Sequence, residues 1–397
     1  MPSLPSSRGI SSDSISSVLD DVHDWKKVWN KKRRQQLRDF QKCLENIPAL
    51  KQTLSNPEAR EEAQMLLQFE ANKRRGSYPD SVLKAIENAL EVLEDLDGGE
   101  PSEAVPNWFI PPYEVELGNY ISAGGFADVY YGKWFDTDVV VKILYLPSES
   151  SPTYNDEDSV DVFRREADHW FMLSHQNVVH LYGACHVGRR PFFVCEPAKT
   201  TSVSAHMESL AHQNASYDPE QRGGNSSDIM RCLYLMGLGL KYVHERGIIH
   251  SDLKMNNVMV GTDEKNIKLG DFGSSIVKRR GGGSNKNYVG SGALRWKAPE
   301  CLLGAEPSVE SDIYSFGMCI LEIFSGAIPW GNNLDVAVKY YVTKKRRLPP
   351  RPRGLNDIQW SMVQRMCCFE PTERISLAAV VDMLNAFRFE EPTMGGS

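Results

Sequence analysis

The chain has 397 residues, enough for a large two-lobed domain plus an extension, and no apolar run approaches the roughly twenty residues of a membrane helix. Its net charge of −7 argues against general nucleic-acid binding. The eight cysteines show no metal-ligand spacing, and adjacent Cys367 and Cys368 are poorly placed to bridge each other, so a reducing compartment is expected.

Residues 1–17 are Ser-rich without the apolar core of a secretory signal and are expected to be a disordered tail. A helical region follows over 18–96. Val22, Trp25, Val28 and Trp29, then Leu37, Phe40, Cys43, Leu44 and Ile47, recur at helical spacing until Pro48, which is expected to end the run. Residues 57–73 and 79–96 repeat the pattern, the second carrying Val82, Leu83, Ile86, Leu90, Leu93 and Leu96. Two or three antiparallel helices fit. Their role is either a regulatory, partner-binding module or a brace for a neighbouring lobe. The interrupting Lys31-Lys32-Arg33-Arg34 is either a solvated helix face or a nuclear address, so the expectation is a cytoplasmic protein with nuclear entry as the alternative. Residues 97–112, rich in Gly and Pro, form a linker interrupted by Trp108-Phe109-Ile110, which are expected to dock on a lobe.

Next comes Ile121-Ser122-Ala123-Gly124-Gly125-Phe126-Ala127-Asp128-Val129-Tyr130, a turn between strand-like runs, and then Val139-Val140-Val141-Lys142. A Lys closing a β-branched strand is costly to desolvate unless an anion meets it; the alternative is a snorkelling edge lysine. The stretch 161–173 has helical periodicity with Phe163, Trp170 and Leu173 on one face, and it carries two acids, Glu166 and Asp168. Phe192-Phe193-Val194-Cys195-Glu196-Pro197-Ala198 has the pattern of a buried strand running into a linker.

The most telling stretch is His250-Ser251-Asp252-Leu253-Lys254-Met255-Asn256-Asn257, followed by Asp271-Phe272-Gly273. Val258-Met259-Val260 and Ile267-Lys268-Leu269 predict two short strands between these motifs, so that both acids sit at the ends of a hairpin, near enough to share a metal. Asn257 and Asp271 can offer oxygens to Mg2+, Asp252 can accept the proton of an attacking hydroxyl, and Lys254 then lies near a transferring phosphate.

With these motifs in this order the chain resembles a eukaryotic protein kinase over about residues 113–388. Leu294-Arg295-Trp296-Lys297-Ala298-Pro299-Glu300 is similar to the tyrosine-kinase-like group, and Lys254, two residues after the base, to its Ser/Thr-directed members. The resemblance implies an α+β fold with a small β-rich lobe and a large helical lobe, preceded by the helical region and followed by a flexible tail at 389–397. It implies a kinase using ATP and Mg2+ on Ser/Thr hydroxyls of a protein substrate. Asp252, Lys254 and Asn257 match its catalytic positions, Asn257 and Asp271 its metal positions. Its nucleotide positions fall on Ser122, Gly124, Gly125, Phe126, Val129, Val140, Lys142, Glu166, Cys195, Glu196, Ala198 and Met259. Within that set Glu166 is the expected partner of Lys142, and Asp168 points away. Main-chain groups of Glu196 and Ala198 would pair with the adenine edge, with Cys195 at the back of the pocket. The resemblance further implies that Arg374 pairs with Glu300 and that Asp312 braces the catalytic loop.

Five departures stand out. Ser122 and Ala127 replace glycines, Val140 replaces an Ala above the adenine, Ala293 replaces a Thr, and Ser251 replaces the Arg before the base. Without that Arg, a phosphate on the activation segment cannot be tied to the catalytic loop by the usual charge-assisted bond, so activity is expected to depend less on that switch. The first four keep a rival open: a pseudokinase that binds nucleotide and acts as a scaffold.

Overall fold

The computed structural model describes residues 33–99, 103–123, 127–145, 156–188, 190–202, 226–262, 266–272, 276–277 and 294–389. Several expectations lie outside these residues: the Ser-rich tail, the start of the first helix with Lys31-Lys32, the turn Gly124-Gly125-Phe126, most of the activation segment with Ala293, and the tail from residue 390. The chain divides into two compact units, 1–106 and 107–397.

In the first unit, α1 (33–45) gives way to α2 (Ile47–Thr53), α3 (Pro57–Lys73) and α4 (Asp80–Leu96). The first helix stops before Pro48, as expected, but Pro48 opens another. Asn46 caps α2, accepting from the Ala49 amide, and Pro48 occupies the first turn, where its missing N–H is not needed. Asn56 and Pro57 start α3 in the same way. The apolar stripe of α4 is buried at Val82, Ile86 and Leu93 and packs with Leu44, Leu67 and Ala71. The stripe ends at Leu96, which is exposed. Asp97, just past the helix, accepts from Arg60 and Gln64 and so ties the end of α4 back to α3.

The second unit opens with a five-stranded antiparallel sheet in the order β1-β2-β3-β5-β4, formed by β1 (Val115–Ala123), β2 (Ala127–Trp134), β3 (Thr137–Leu144), β4 (Leu181–Cys185) and β5 (Phe192–Cys195). Strict alternation in β3 buries Val139, Val141 and Ile143 on one face and leaves Val140 and Lys142 on the other. That second face meets α5 (Asp156–Phe171), whose Phe163 stacks on Phe193 at 4.5 Å and whose Trp170 reaches both Phe193 and Phe272. An aromatic column thus runs from the small lobe to the residue after Asp271.

The remaining strands belong to the large lobe. β6 (Ala198–Ser202), β8 (Val258–Gly261) and β9 (Ile267–Leu269) form one small sheet; β7 (Ile248–Ile249) pairs with β10 (Ile276–Val277). Around them lie α6 (Ser226–Glu245), α7 (Pro299–Leu302), α8 (Val309–Ser325), α9 (Asp335–Thr343), α10 (Asp357–Met366) and α11 (Leu377–Phe387). Helix α8 is buried on nearly every side from Ser311 to Glu322, which makes it the axis of this lobe.

Candidate active site

The β3 register sets Lys142 opposite Phe193 and Val140 opposite Cys195, while Val129 on β2 pairs with Lys142 from the other side. Ser122 pairs with Val129 next to the β1–β2 turn. The Lys142 ammonium crosses to the large lobe and donates to Asp271 Oδ1 at 2.5 Å, joining residues 129 apart in the chain. Asp271 adopts a left-handed backbone, φ 61°, uncommon outside glycine. Burial opposes charge on both partners, yet the Asp271 and Glu166 carboxylates hold the Lys142 pKa up, and Lys142 holds that of Asp271 down.

Glu166, the expected partner of Lys142, makes no hydrogen bond to it. Its Oε1 is buried without a partner. The ammonium feels both carboxylates and bonds to Asp271. Burial raises the Glu166 pKa to about 7, with Lys142 pulling it down and Asp271 pushing it further up. Asp168 is likewise used otherwise: it accepts the indole N–H of Trp108 at 2.6 Å.

Asp252, Lys254 and Asn257 form one bonded set. Lys254 Nζ donates to Asp252 Oδ2 at 2.7 Å, and Asn257 Nδ2 donates to the Asp252 carbonyl at 2.8 Å and to Oδ2 at 3.1 Å. Both side-chain bonds fall on the same carboxylate oxygen. Because its Nδ2 is engaged, Asn257 keeps its amide oxygen for a cation. Magnesium is commonly held by one or two protein oxygens plus substrate phosphates, so Asn257 and Asp271 suit it. Clusters of three or more acidic, His or Cys ligands are absent among the described residues.

The loop carrying this set hangs on Asp312, buried in α8. Its carboxylate accepts from the backbone amides of His250 and Ser251 at 2.8 and 2.9 Å and meets His244 Nε2 at 2.8 Å. Ser308 and Ser311 form the capping box of α8, so Asp312 is left for the loop. Ser251, in a left-handed conformation at φ 63°, turns the chain here. His250 Nδ1 accepts from the Asp252 amide, so Nε2 carries the proton donated to the Gly270 carbonyl. Arg374, its side chain wholly buried, forms a bidentate pair with Glu300 at 2.6 and 2.7 Å.

On the nucleotide side, the Glu196 carboxylate accepts from the His180 amide at 2.7 Å and pairs with Lys268 at 2.9 Å, and the Glu196 amide donates to the His180 carbonyl. Its remaining main-chain group is the carbonyl. Ala198 begins β6 opposite Gly261, and Cys195 is buried, which pushes its thiol pKa up. Met259 points out of β8 between buried Val258 and Val260.

Two supporting residues escaped the sequence reading. Glu322 of α8, its pKa raised by burial, accepts from the Met255 amide and from the Trp296 indole, linking the catalytic loop to the segment before Ala298. Arg295 donates to the carbonyls of Pro329, Gly331 and Asn333. An acid inside the apolar run Ile320-Leu321-Glu322-Ile323-Phe324 was the available signal for the first; no local pattern announces the second.

A sheet lobe and a helical lobe are thus joined by a Lys–Asp contact beside a bonded Asp–Lys–Asn set. Residues 115–384 match the family of protein tyrosine and serine/threonine kinases. The chain belongs to that family, in its tyrosine-kinase-like group. It is similar to the serine/threonine/tyrosine-protein kinase HT1 of Arabidopsis thaliana, 24% identical over 315 residues, covering 79% of this chain and 76% of the relative. It is also similar to the serine/threonine-protein kinase CTR1 of the same plant, 29% identical over 337 residues, covering 78% of this chain and 38% of that protein. A Raf homolog serine/threonine-protein kinase of Caenorhabditis elegans is 27% identical over 294 residues, covering 72% of this chain and 34% of the relative. Two of these three relatives are therefore much longer than the matched region.

Proposed function

We propose that this chain is an active, Mg2+- and ATP-dependent kinase that phosphorylates Ser and Thr hydroxyls of protein substrates, and that residues 18–96 bind a regulatory partner. The contact of Lys142 with Asp271 across the two lobes is the observation that carries the reading. ATP supplies the phosphoryl group, and Mg2+ neutralises charge on its phosphates. Lys142 binds the phosphates, while Asn257 and Asp271 hold the cation. Oδ1 of Asp252, which neither Lys254 nor Asn257 occupies, takes the proton of the substrate hydroxyl as the hydroxyl oxygen bonds to the γ-phosphorus and the bond from that phosphorus to the departing diphosphate breaks. Lys254, held by Asp252, offsets negative charge on the transferring group. The position of Lys254 supports Ser/Thr over Tyr. Ser251 supports an activity with little dependence on activation-segment phosphorylation, since its neutral side chain offers no charge-assisted bond to a phosphate there.

The pseudokinase reading draws on Val140, whose side chain stands opposite Cys195 where a smaller one would leave more room for adenine. Radiolabel transfer from ATP to a generic protein substrate separates the two. Wild type should label the substrate, Asp252→Asn and Lys142→Met should not, and phosphoamino-acid analysis should return phosphoserine and phosphothreonine. Equal transfer by all three proteins would leave the scaffold.

A further inference from the structure

Helix α9 and the run that leaves it carry two features that nothing in the cleft uses. The first is apolar: Leu334, Val336 and Tyr340 are 77%, 83% and 49% exposed. Leu334 takes the N-cap position with extended backbone and no side-chain cap bond, where Ser, Asp or Asn would hold the first amides of the helix. Folding of α9 therefore does not account for a leucine there.

The second feature is charge. Residues 335–360 contain seven Lys or Arg and two acids. Both acids are matched, Asp335 to Arg295 at 3.1 Å and Asp357 to Arg351 at 2.7 Å. Arg346 turns back in a left-handed conformation, φ 50°, to lie over the Phe369 ring at 3.9 Å and pair with Glu370 at 3.6 Å. Lys339, Lys344, Lys345, Arg347 and Arg353 are exposed and make no ion pair among the described residues.

The two features share one side of the helix. Positions 336, 339, 340 and 344 span an arc of about 140°, while Val338 and Val342 on the other side are buried in the lobe. The Lys344 and Lys345 amides both donate to the Tyr340 carbonyl and the Arg347 amide to that of Tyr341, so the basic run is wound against the helix end. Lys345 Nζ lies 5.7 Å from the centre of the Tyr340 ring. The helix dipole favours cations at this end, but it accounts for neither Lys339 nor the apolar residues beside it.

We propose that this side of α9, with Lys344, Lys345 and Arg347, is a docking surface for an anionic phospholipid bilayer. Leu334, Val336 and Tyr340 enter the headgroup region, and the unmatched cations pair with lipid phosphates and carboxylates. Leu334 and Val336 project from the helix, a shape that a fluid interface moulds around and that a folded partner covers only with a matching socket. The net charge of −7 does not oppose this contact, because at about 0.1 M salt charges more than about 10 Å apart are largely screened and the bilayer feels the local cations. The surface lies wholly within the second unit, and it stands whether or not the chain transfers phosphate.

The full chain should co-sediment with phosphatidylcholine vesicles containing about 30% phosphatidylserine but not with phosphatidylcholine alone, and about 0.5 M NaCl should release it. Lys344→Gln with Lys345→Gln should lower the partition coefficient about 25-fold, at about fivefold per cation. Leu334→Ser with Val336→Ser should lower it about tenfold. Both pairs change exposed side chains, so each should melt at the wild-type midpoint. Wild-type partitioning by either pair would overturn the proposal, since the vesicles would then meet another part of the chain. Equal binding to both vesicle types, or to neither, would also overturn it. Capture by a poly-glutamate peptide in the latter case would make the partner an acidic protein segment.

Discussion

Glu166 feels Lys142 and Asp271 together while its Oε1 has no hydrogen-bond partner, a costly position for an ionised carboxylate. Its folded pKa of about 7 stands above the ordinary 4.5. The folded state therefore binds the proton more tightly than the unfolded chain, and the resulting stabilisation is full below the ordinary value and disappears as pH rises through 7. Stability of the nucleotide-free protein against denaturant should fall by about 3 kcal/mol across that window, and Glu166→Gln should flatten the dependence. Parallel curves for the two proteins would refute the assignment. Arg374 poses the opposite problem, because a fully buried guanidinium is matched to Glu300 by two short bonds. Glu300→Ala strands that charge and should cost about 3–5 kcal/mol in urea unfolding, whereas Glu300→Ala with Arg374→Met should recover much of it.

At the scale of elements, burial and surface exposure separate residues that share one periodic pattern. Leu93 on α4 is fully buried, and Leu96, one turn on, is exposed. Leu93→Ala should therefore destabilise the helical unit by about 2–5 kcal/mol, read as lost amide protection in α3 and α4, while Leu96→Ala should stay within about 0.5 kcal/mol. Helices α3 and α4, the hairpin of β8 and β9, and the apolar face of α5 were legible because each follows from spacing and end signals within one short window. Lys142, Asp252, Asn257 and Asp271 were legible for a different reason: their order along the chain repeats a known motif set. The illegible features depend on distance in sequence. Asp168 is an exposed acid by local pattern, and only the arrival of Trp108 from 60 residues away gives it a partner. Arg295 reaches carbonyls 34 to 38 residues on, which no periodicity encodes. Pro48 marked a boundary correctly, but its second meaning, the first turn of α2, depended on Asn46 acting as a cap.

For the molecule as a whole, the decisive contact joins β3 of the small lobe to the turn after β9 of the large one. Lys142 and Asp271 neutralise each other there, and a nucleotide with its cation would offer each a new partner: phosphate for the ammonium, metal for the carboxylate. A ligand that binds only the folded state stabilises it by mass action, by about 2.7 kcal/mol at a hundred times its dissociation constant. ATP with Mg2+ should accordingly raise the thermal midpoint of the full chain more than ATP alone. Asp271→Asn has lost the charge on the metal ligand, so its midpoint, measured against its own nucleotide-free baseline, should rise equally with and without Mg2+. Lys142→Met removes the phosphate contact and should show the smaller rise in both conditions. If Asp271→Asn kept the full Mg2+-dependent increment, the cation would have to bind elsewhere, and the assignment of Asn257 and Asp271 as its ligands would fall.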